Sequence, residues 1–342
     1  MTRNRIGVSY VQLKVVAIGL LLVVIASFAV ASGGDRDSEK SVFAERCMGT
    51  EFRITICGEP SLAKAAAEKA FARAQELDRK LSDYKPDSEL MILSSKAGRG
   101  AFSVSDDLLC VLKQGQRVAK ESDGAFDVTI GPVVRLWRRA RRTREMPSEQ
   151  ELTAAKAKIG YEKLTIDEKA KTVALKSVGM QLDLGGIAKG FAAQEMVKCL
   201  RENGCPRCLV AAGGDIVAGD APPGSDGWAV KIAALNAADR PPTIKLQNAA
   251  ISTSGGAEQY VEIAGTRYSH IVNPKTGLGL TGEFSVTVWM NDGALADPLA
   301  TAAAVLGEES GVECVKKFGG KVRFARVVGD EVQVFGFGVF EK

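Results

Sequence analysis

The chain has 342 residues, of which 46% are hydrophobic and 25% charged, and its formal net charge is +4. This composition is typical of a globular protein, and the length suffices for one large core or two lobes. Nucleic-acid-binding proteins usually carry a strong basic excess, which this chain lacks. We therefore expect a globular protein that does not bind nucleic acid.

The N-terminal residues predict export. A basic flank (1–14) precedes a largely apolar run (15–31), and a polar linker (32–42) separates this run from the folded domain (43–342). The basic flank predicts a cytoplasmic start. The apolar run is either a cleaved signal peptide, with small residues at 29–31, or a retained membrane anchor. In both cases the domain would lie in the periplasm or on the outer face of the cytoplasmic membrane.

Strand and helix patterns are mixed along the rest of the chain. Alternating or short apolar runs predict strands at 51–57, 164–166, 172–175, 181–184, 208–212, 228–232, 250–252, 260–263, 284–289, 322–328 and 331–335. Helical spacing and capping residues predict helices at 61–82, 105–121, from 148 to before 160, from 187 to about 202, 298–306 and 310–318. Because helices and antiparallel-looking hairpins do not alternate strictly, an α+β fold is favoured over a doubly wound sheet.

Seven cysteines leave at least one unpaired. Cys205 and Cys208, with Cys199 nearby, could be a redox dithiol, half of a zinc site or a local disulfide. The chain has no second CxxC pair and only one histidine, His270. A structural or incidental role for these cysteines is therefore favoured over redox chemistry or zinc binding.

The segment 182–190, LDLGGIAKG, has the pattern of an anion-binding turn. A strand would end at Asp183, two glycines would let a ligand approach the backbone, and a helix would begin with Lys189 in its first turn. A cation there is unfavourable to the helix dipole unless an anionic ligand offsets it. An ordinary glycine-rich turn with a surface lysine remains the alternative.

The segment 296–301, ADPLAT, suits a hard cation. We predict that Asp297 is a helix N-cap and that Pro298 occupies the first helical position. Asp297 and Thr301 are four residues apart, so their oxygens can lie on one side of the first turn. Together with carbonyl groups and ligand phosphates they could hold magnesium. The alternative is that Asp297 only caps the helix and Thr301 only packs.

Two glycine-rich turns, at 213–215 and 252–256, and the loop that carries His270 are weaker signals. Such turns can present backbone N–H groups to a ligand, but they also form ordinary hairpins. A histidine beside a phosphate can donate a hydrogen bond or transfer a proton near neutral pH. A lone histidine is otherwise more often structural.

An arginine run at 135–144 contains six arginines and Trp137. Anionic lipid, nucleic acid or an acidic protein could bind such a surface. We favour a solvated helix face or a docking surface over nucleic-acid binding, because an exported protein rarely meets nucleic acid.

Taken together, these segments resemble the ApbE family of flavin transferases over roughly residues 47–340. The matching segments follow in order: Met48-Gly49-Thr50, DYKPDSEL at 83–90, GAFDVTIGP at 124–132, LDLGGIAKG at 182–190, GGDI at 213–216, ISTSG at 251–255, YSH at 268–270 with NPKTG at 273–277, and Ala296-Asp297. The resemblance implies a two-lobed mixed α/β fold that binds a flavin nucleotide in the cleft between the lobes.

The resemblance also assigns residues to a site for FAD and Mg²⁺. The expected nucleotide-binding residues are Met48, Tyr84, Ala125, Phe126, Asp127, Asp183, Lys189, His270 and Ile271. The expected magnesium ligands are Gly186, Ala188, Asp297, Ala300 and Thr301, the first two and Ala300 through backbone carbonyls. His270 and Asp297 are the expected catalytic residues.

The reaction implied is magnesium-dependent transfer of FMN from FAD to a serine or threonine hydroxyl of a target flavoprotein, with release of AMP. In the family the acceptors are subunits of membrane redox complexes of the Nqr and Rnf kinds and other exported flavoproteins. Two alternatives stay open: an FAD hydrolase that yields FMN and AMP, and a non-catalytic flavin-binding protein. The chain departs from the family pattern at Pro298, after the 252–256 turn and in the arginine run.

Overall fold

Helices and strands are mixed along the chain, and the expected α+β class is confirmed. The computed structural model describes residues 39–256, 259–329, 331–338 and 340. The predicted basic flank and the apolar run at 15–31 lie outside these residues. Within the described part, no helix is both long enough and apolar enough to cross a membrane.

The bounds of the elements are as follows. The helices are α1 Pro60–Leu81, α2 Glu89–Ser95, α3 Asp106–Glu121, α4 Gly131–Thr143, α5 Glu149–Lys156, α6 Ala188–Glu202, α7 Gly293–Leu306 and α8 Glu308–Lys317. The strands are β1 Lys40–Cys47, β2 Thr50–Cys57, β3 Ala101–Ser103, β4 Leu164–Asp167, β5 Thr172–Leu175, β6 Cys208–Ala212, β7 Asp215–Ala218, β8 Trp228–Lys231, β9 Thr243–Leu246, β10 Ala249–Gly255, β11 Tyr260–Ile263, β12 Thr266–Val272, β13 Gly279–Thr281, β14 Phe284–Met290, β15 Lys321–Val328 and β16 Glu331–Phe337.

An eight-stranded antiparallel sheet forms the main layer, in the order β1-β2-β6-β7-β10-β14-β15-β16. Smaller sheets, β11-β12-β13, β3-β5-β4 and β8-β9, stand beside it. From residue 39 onward the described chain forms one compact unit. The two lobes implied by the resemblance are therefore parts of one unit rather than separately folded domains.

The core lies between the main sheet and helices α1, α6 and α7. Phe52, Ile54 and Ile56 alternate along β2 and are fully buried, as the period-two pattern predicts. Helix α6 packs against both α1 and α7, and α7 packs on β10 and β14. The central strands and the first turns of α6 and α7 are thereby brought to one place.

Several predicted boundaries are wrong by a few residues for local reasons. Strand β1, which begins at Lys40 within the predicted linker 32–42, was not predicted. Helix α1 is capped by the carboxylate of Glu59, which accepts from the backbone N–H of Ser61, so Ser61 is not the cap. Residues 181–184 form no strand, and a single bridge joins Gln181 to Ile130. The capping box that begins at Ser148 is confirmed.

Helix α7 begins earlier than predicted. Asp292 is its N-cap, and its carboxylate accepts from the N–H of Ala294 at 2.9 Å. Pro298 therefore lies inside the helix, and the prediction that Asp297 is the cap is wrong. Asp292, five residues before Asp297, caps the helix instead, and the Asp-Pro pair at 297–298 had led the sequence prediction to the wrong aspartate. Asp297 lies on an internal turn of the helix, and its carboxylate is not used to cap it.

The seven cysteines are free thiols, and five of them, including Cys205 and Cys208, are buried. Burial raises the pKa of Cys208 to about 12, so its thiol is protonated at neutral pH. No group of three or more His, Cys, Asp or Glu side chains in the described residues is arranged to hold a metal ion.

Candidate functional site

Three charged side chains, the half-buried Lys189 and the buried Asp215 and Asp297, lie where α6, β7 and α7 meet. The Lys189 ammonium is 3.2 Å from Asp297 Oδ2 and 3.3 Å from Asp215 Oδ2. It also donates to the carbonyl of Gly185 at 3.0 Å. The two aspartate side chains are only 5% and 4% exposed. We call these three residues the charged triad.

The charges of the triad do not cancel. Burial raises the pKa of Asp297, the neighbouring Asp215 raises it further, and Lys189 offsets part of the rise. Desolvation disfavours charged Lys189, yet the two carboxylates outweigh it and raise the pKa of the lysine, which stays protonated. One ammonium facing two carboxylates leaves an excess of negative charge in a buried place. Such an excess attracts a cation.

The hydroxyl of Thr301 lies one turn after Asp297 on α7 and faces the same region. Its Oγ1 is 3.2 Å from Ser254 Oγ. A Cβ placed on Gly186 would lie 3.1 Å from Thr301 Oγ1 and 3.3 Å from Phe126 Cε2. A side chain at 186 would therefore crowd the hydroxyl, and the absence of one keeps the turn open.

The predicted magnesium ligands are compatible with a hard cation. Gly186 lies beside Thr301, which is one turn after Asp297 on α7, and Ala188 and Ala300 are both buried. A carboxylate, a hydroxyl and backbone carbonyls are the oxygen ligands that Mg²⁺ takes when phosphates complete its shell. The uncompensated negative charge of the triad fits the same ion. The residues present therefore fit the group that the resemblance implies.

Arg138 of α4 connects a second set of site residues, Asp83, Tyr84 and Asp183. Its Nη1 is 2.5 Å from Asp83 Oδ2, and its Nη2 donates to Asp183 Oδ2 at 2.9 Å. The guanidinium also stacks over the ring of Tyr84, 4.3 Å from the ring centroid, while Tyr84 is 73% exposed. Burial and the nearby Asp83 raise the pKa of Asp183, and Arg138 opposes that rise. Tyr84 thus presents an aromatic surface beside two carboxylates that one guanidinium bridges.

The arginine run divides between the site and the solvent. Val133, Trp137 and Ala140 bury one face of α4, and Trp137 Nε1 donates to the carbonyl of Gly277 at 2.8 Å. Arg138 lies on the flank that faces Asp183, whereas Arg139 is exposed and pairs with a glutamate of α5. The interpretation of the run as a solvated face or docking surface is therefore wrong for Arg138.

His270 lies on β12 with a defined tautomer. Its Nδ1 is 3.1 Å from the carbonyl oxygen of Gln259, which can only accept, so Nδ1 carries the proton and Nε2 is free to accept one. Desolvation, Arg141 and Lys189 lower the pKa of His270, and the hydrogen bond to Gln259 opposes them. Because the residue is solvent-exposed, water limits the desolvation. The imidazole is neutral at pH 7.

The remaining predicted nucleotide-binding residues line the surrounding turns. Ala125, Phe126 and Ile271 are buried, and Met48 occupies the turn between β1 and β2 with a φ of 48°. The carboxylate of Asp127 accepts from both the N–H and the hydroxyl of the nearby Thr129, at 2.8 and 2.7 Å. Asp127 therefore stabilises its own turn, and its Oδ1 atom already accepts two hydrogen bonds within the protein.

The sequence prediction missed two charged residues of the site, Asp215 and Arg138. Asp215 follows a Gly-Gly pair and is the cross-strand partner of Ser252, whose hydroxyl donates to Asp215 Oδ1. The Gly-Gly-Asp order was the available signal, but the partner strand was needed to interpret it. Arg138 was hidden among five other arginines, and only the buried face of α4 distinguishes it.

Comparisons with known proteins identify the family of the chain. The model of the ApbE family matches residues 48–324. The FAD:protein FMN transferase of Vibrio cholerae is 32% identical over 298 residues, which cover 85% of this chain and 89% of the relative. That of Treponema pallidum is 31% identical over 321 residues, which cover 89% of this chain and 88% of the relative.

Solved structures give the same result. The flavin transferase ApbE from Vibrio cholerae superposes with a TM-score of 0.80 at 29% identity, over 88% of this chain and 98% of the other. The apo form of the Pseudomonas stutzeri flavinyl transferase ApbE gives a TM-score of 0.79 at 28% identity, over 88% and 96%. Fold, ordered motifs and family model coincide, and the chain belongs to the ApbE family.

Proposed function

We propose that the protein is a magnesium-dependent FAD:protein FMN transferase. It transfers FMN from FAD to a serine or threonine hydroxyl of a target flavoprotein through a phosphoester bond and releases AMP. The observation that carries the proposal is the charged triad with its uncompensated negative charge, beside the Thr301 hydroxyl and the start of α6. The transferase names of the Vibrio and Treponema relatives support it.

The residues around the triad suit FAD. Helix α6 starts at Ala188, and the N–H groups of Ala188 and Gly190 are already bonded, to Leu184 and Asp297, so the helix would attract a diphosphate mainly through its dipole. The charge of Lys189 is one of the causes that lower the pKa of His270, after desolvation. The exposed ring of Tyr84 offers a stacking surface for a flat heteroaromatic ring.

Asp297 and Thr301 would hold the magnesium ion, with carbonyls of Gly186 or Ala188 and of Ala300. When bound, this ion neutralises charge on the diphosphate. Lys189 adds a positive charge at the same place. His270, neutral with Nε2 free, accepts the proton of the attacking hydroxyl. The hydroxyl oxygen bonds to the FMN phosphorus, the bond from that phosphorus to the bridging oxygen breaks, and AMP leaves with this oxygen.

The acceptor and the location belong to the same proposal. An exported enzyme, in the periplasm or held at the outer face of the cytoplasmic membrane by its N-terminal segment, would meet exported flavoproteins such as redox subunits of the Nqr or Rnf kind. Neither acceptor identity nor location follows from the charged triad. Mass spectrometry of the mature N-terminus would distinguish a cleaved signal peptide from a retained anchor.

The deciding experiment incubates purified protein with FAD and Mg²⁺, with and without a candidate acceptor. Acceptor-dependent flavin fluorescence on a denaturing gel, accompanied by AMP, is the expected result. AMP without labelling of any acceptor would favour the hydrolase. Absence of both products would leave a flavin-binding protein and overturn the transferase proposal.

A further inference from the structure

Asp215 is the most fixed of the three residues in the charged triad. It is the first residue of β7 and follows Gly214. A Cβ placed on Gly214 would lie 2.8 Å from the carbonyl oxygen of Thr253. Its backbone pairs in register with Ser252 of β10, and the Ser252 hydroxyl donates to Oδ1. The position of the carboxylate is therefore set by two neighbouring strands of the main sheet.

The other oxygen of Asp215 is directed at Lys189. In the described residues Oδ2 is buried and makes no hydrogen bond, and its neighbour is the Lys189 ammonium at 3.3 Å. Lys189 is equally close to Asp297, at 3.2 Å, and projects from a flexible four-carbon side chain. The lysine is thus shared between a fixed carboxylate and the carboxylate expected to bind the cation.

This sharing has an electrostatic consequence. An ammonium paired with Asp297 alone would compete directly with a cation for the same carboxylate. A second carboxylate that attracts the ammonium weakens this competition. The ammonium and the cation repel each other, and each then has a carboxylate of its own. Asp215 can do this without binding the cation, since its Oδ1 is held by Ser252 and its Oδ2 faces the lysine.

We infer that Asp215 is a positioning residue: it gives the Lys189 ammonium, which donates to Asp297 Oδ2 in this structure, a second carboxylate partner, so that a divalent cation can take the place of the ammonium at Asp297. The inference rests on the proposed function, because it assumes that the cation binds at Asp297. It assigns Asp215 no contact with substrate. Ser252 acts through Asp215 by holding Oδ1.

The test measures Mg²⁺ binding to the purified full chain by isothermal titration calorimetry, without substrate. Asp215→Asn keeps the shape of the side chain and removes its charge, and it should weaken Mg²⁺ binding about ten- to hundredfold, as does the loss of other groups that support a metal ligand. Ser252→Ala should weaken binding in the same direction but less. Asp226→Asn, at an exposed aspartate paired with Lys245, is the matched control and should bind as the wild type does.

A double-mutant cycle separates positioning from direct ligation. If Asp215 acts through Lys189, the loss of affinity caused by Asp215→Asn should be at least about fivefold smaller in a Lys189→Gln background. An equal loss in both backgrounds would mean that Asp215 acts on the cation directly, through its charge or as a ligand, and would overturn the inference. So would unchanged Mg²⁺ affinity in both Asp215→Asn and Ser252→Ala, with circular dichroism melts showing that the variants are folded.

The outcomes for the two proposals differ. If the wild type binds Mg²⁺ but labels no acceptor, the transferase proposal fails while the role of Asp215 is still decided by the cycle. If the wild type binds no Mg²⁺, both proposals are wrong.

Discussion

Gly190 of α6 contacts Asp297 of α7 where the two helices cross. The N–H of Gly190 is 3.3 Å from Asp297 Oδ2, and a Cβ placed on Gly190 would lie 2.8 Å from the Cβ of Asp297 and 2.3 Å from the carbonyl oxygen of Gly293. The close approach of the helices therefore depends on a position without a side chain. It also fixes the carboxylate that is expected to bind the cation.

Gly190→Ala should destabilise the protein. Helix propensity alone favours alanine by about 1 kcal/mol, but the clash with a backbone carbonyl cannot be relieved by a side-chain rotation. Overpacking of this kind typically costs about 1–3 kcal/mol, so we expect a net fall in the free energy of unfolding. Urea denaturation would measure it. A variant as stable as the wild type would show that α6 and α7 can move apart without loss of stability.

Asp297→Asn should abolish Mg²⁺-dependent release of AMP from FAD, because the substitution removes the only carboxylate among the expected magnesium ligands. Chromatographic quantification of AMP would check this. Asp220→Asn is a suitable control, since Asp220 is an exposed aspartate whose side chain is 47% accessible. Turnover by Asp297→Asn at the rate of the control would exclude the proposed metal site.

His270 is the only histidine of the chain, so its imidazole signal can be followed alone by NMR once any affinity tag is removed. Desolvation together with Arg141 and Lys189 lowers its pKa. The titration midpoint should therefore lie below 6.5, and the Nδ1 proton should persist on the neutral ring. A midpoint at or above 6.5 would contradict the surroundings described for this residue.

The lowered pKa of His270 determines the direction of two pH effects. The folded state takes up the His270 proton less readily than the unfolded state, so this residue's contribution to stability is present above pH 6.5 and is lost as the pH falls through the folded-state pKa. The transfer rate should not change with pH near pH 7, where His270 stays neutral, and should decline at acidic pH, where Nε2 becomes protonated.

His270→Gly should slow transfer more than it weakens FAD binding, because the imidazole is the proposed proton acceptor. A loss confined to FAD affinity would leave His270 a binding residue.

Arg138→Gln should lower both stability and FAD affinity. Without the guanidinium, Asp83 and Asp183 face each other uncompensated, and the loss of hydrogen bonds between charged groups costs about 1.5–3 kcal/mol. The same carboxylates would then repel a diphosphate. Quenching of FAD fluorescence and thermal melts would report the two effects.

Arg139→Gln is the matched control for Arg138→Gln. It lies one position further along α4 but pairs with Glu151 at the surface, where an ion pair contributes about 1 kcal/mol or less. Equal effects of the two substitutions would show that general positive charge on α4 matters, and not the bridge between the two aspartates.

Most helices and strands could be predicted from local patterns, because their formation depends on residues that are close in sequence. The alternation of Phe52, Ile54 and Ile56 predicted β2, and Ser148 with Glu151 predicted the start of α5. The start of α7 was predicted wrongly because Asp292 and Asp297 are both good caps, and packing against α6 decided between them. Strand order in the eight-stranded sheet depends on long-range pairing that no local pattern contains.

For the site, the resemblance supplied Lys189, Asp297 and Thr301, and the structure brings them together. Local chemistry alone left each of these segments with a plain structural alternative. Asp215 and Arg138 could not be predicted, because their importance lies in charged partners contributed by distant segments. Whether a charged side chain is a surface residue or a member of a buried network depends on the tertiary fold.

The order of the site residues along the chain has a consequence for synthesis. Tyr84 is near the beginning of the domain, whereas Asp297 and Thr301 are on α7, which follows almost all strands of the main sheet. A nascent chain that has not yet emerged as far as α7 lacks both the carboxylate and the hydroxyl opposite Gly186. On the proposed function, such a chain would not cleave FAD, and the reaction would become possible only after α7 has docked in the core.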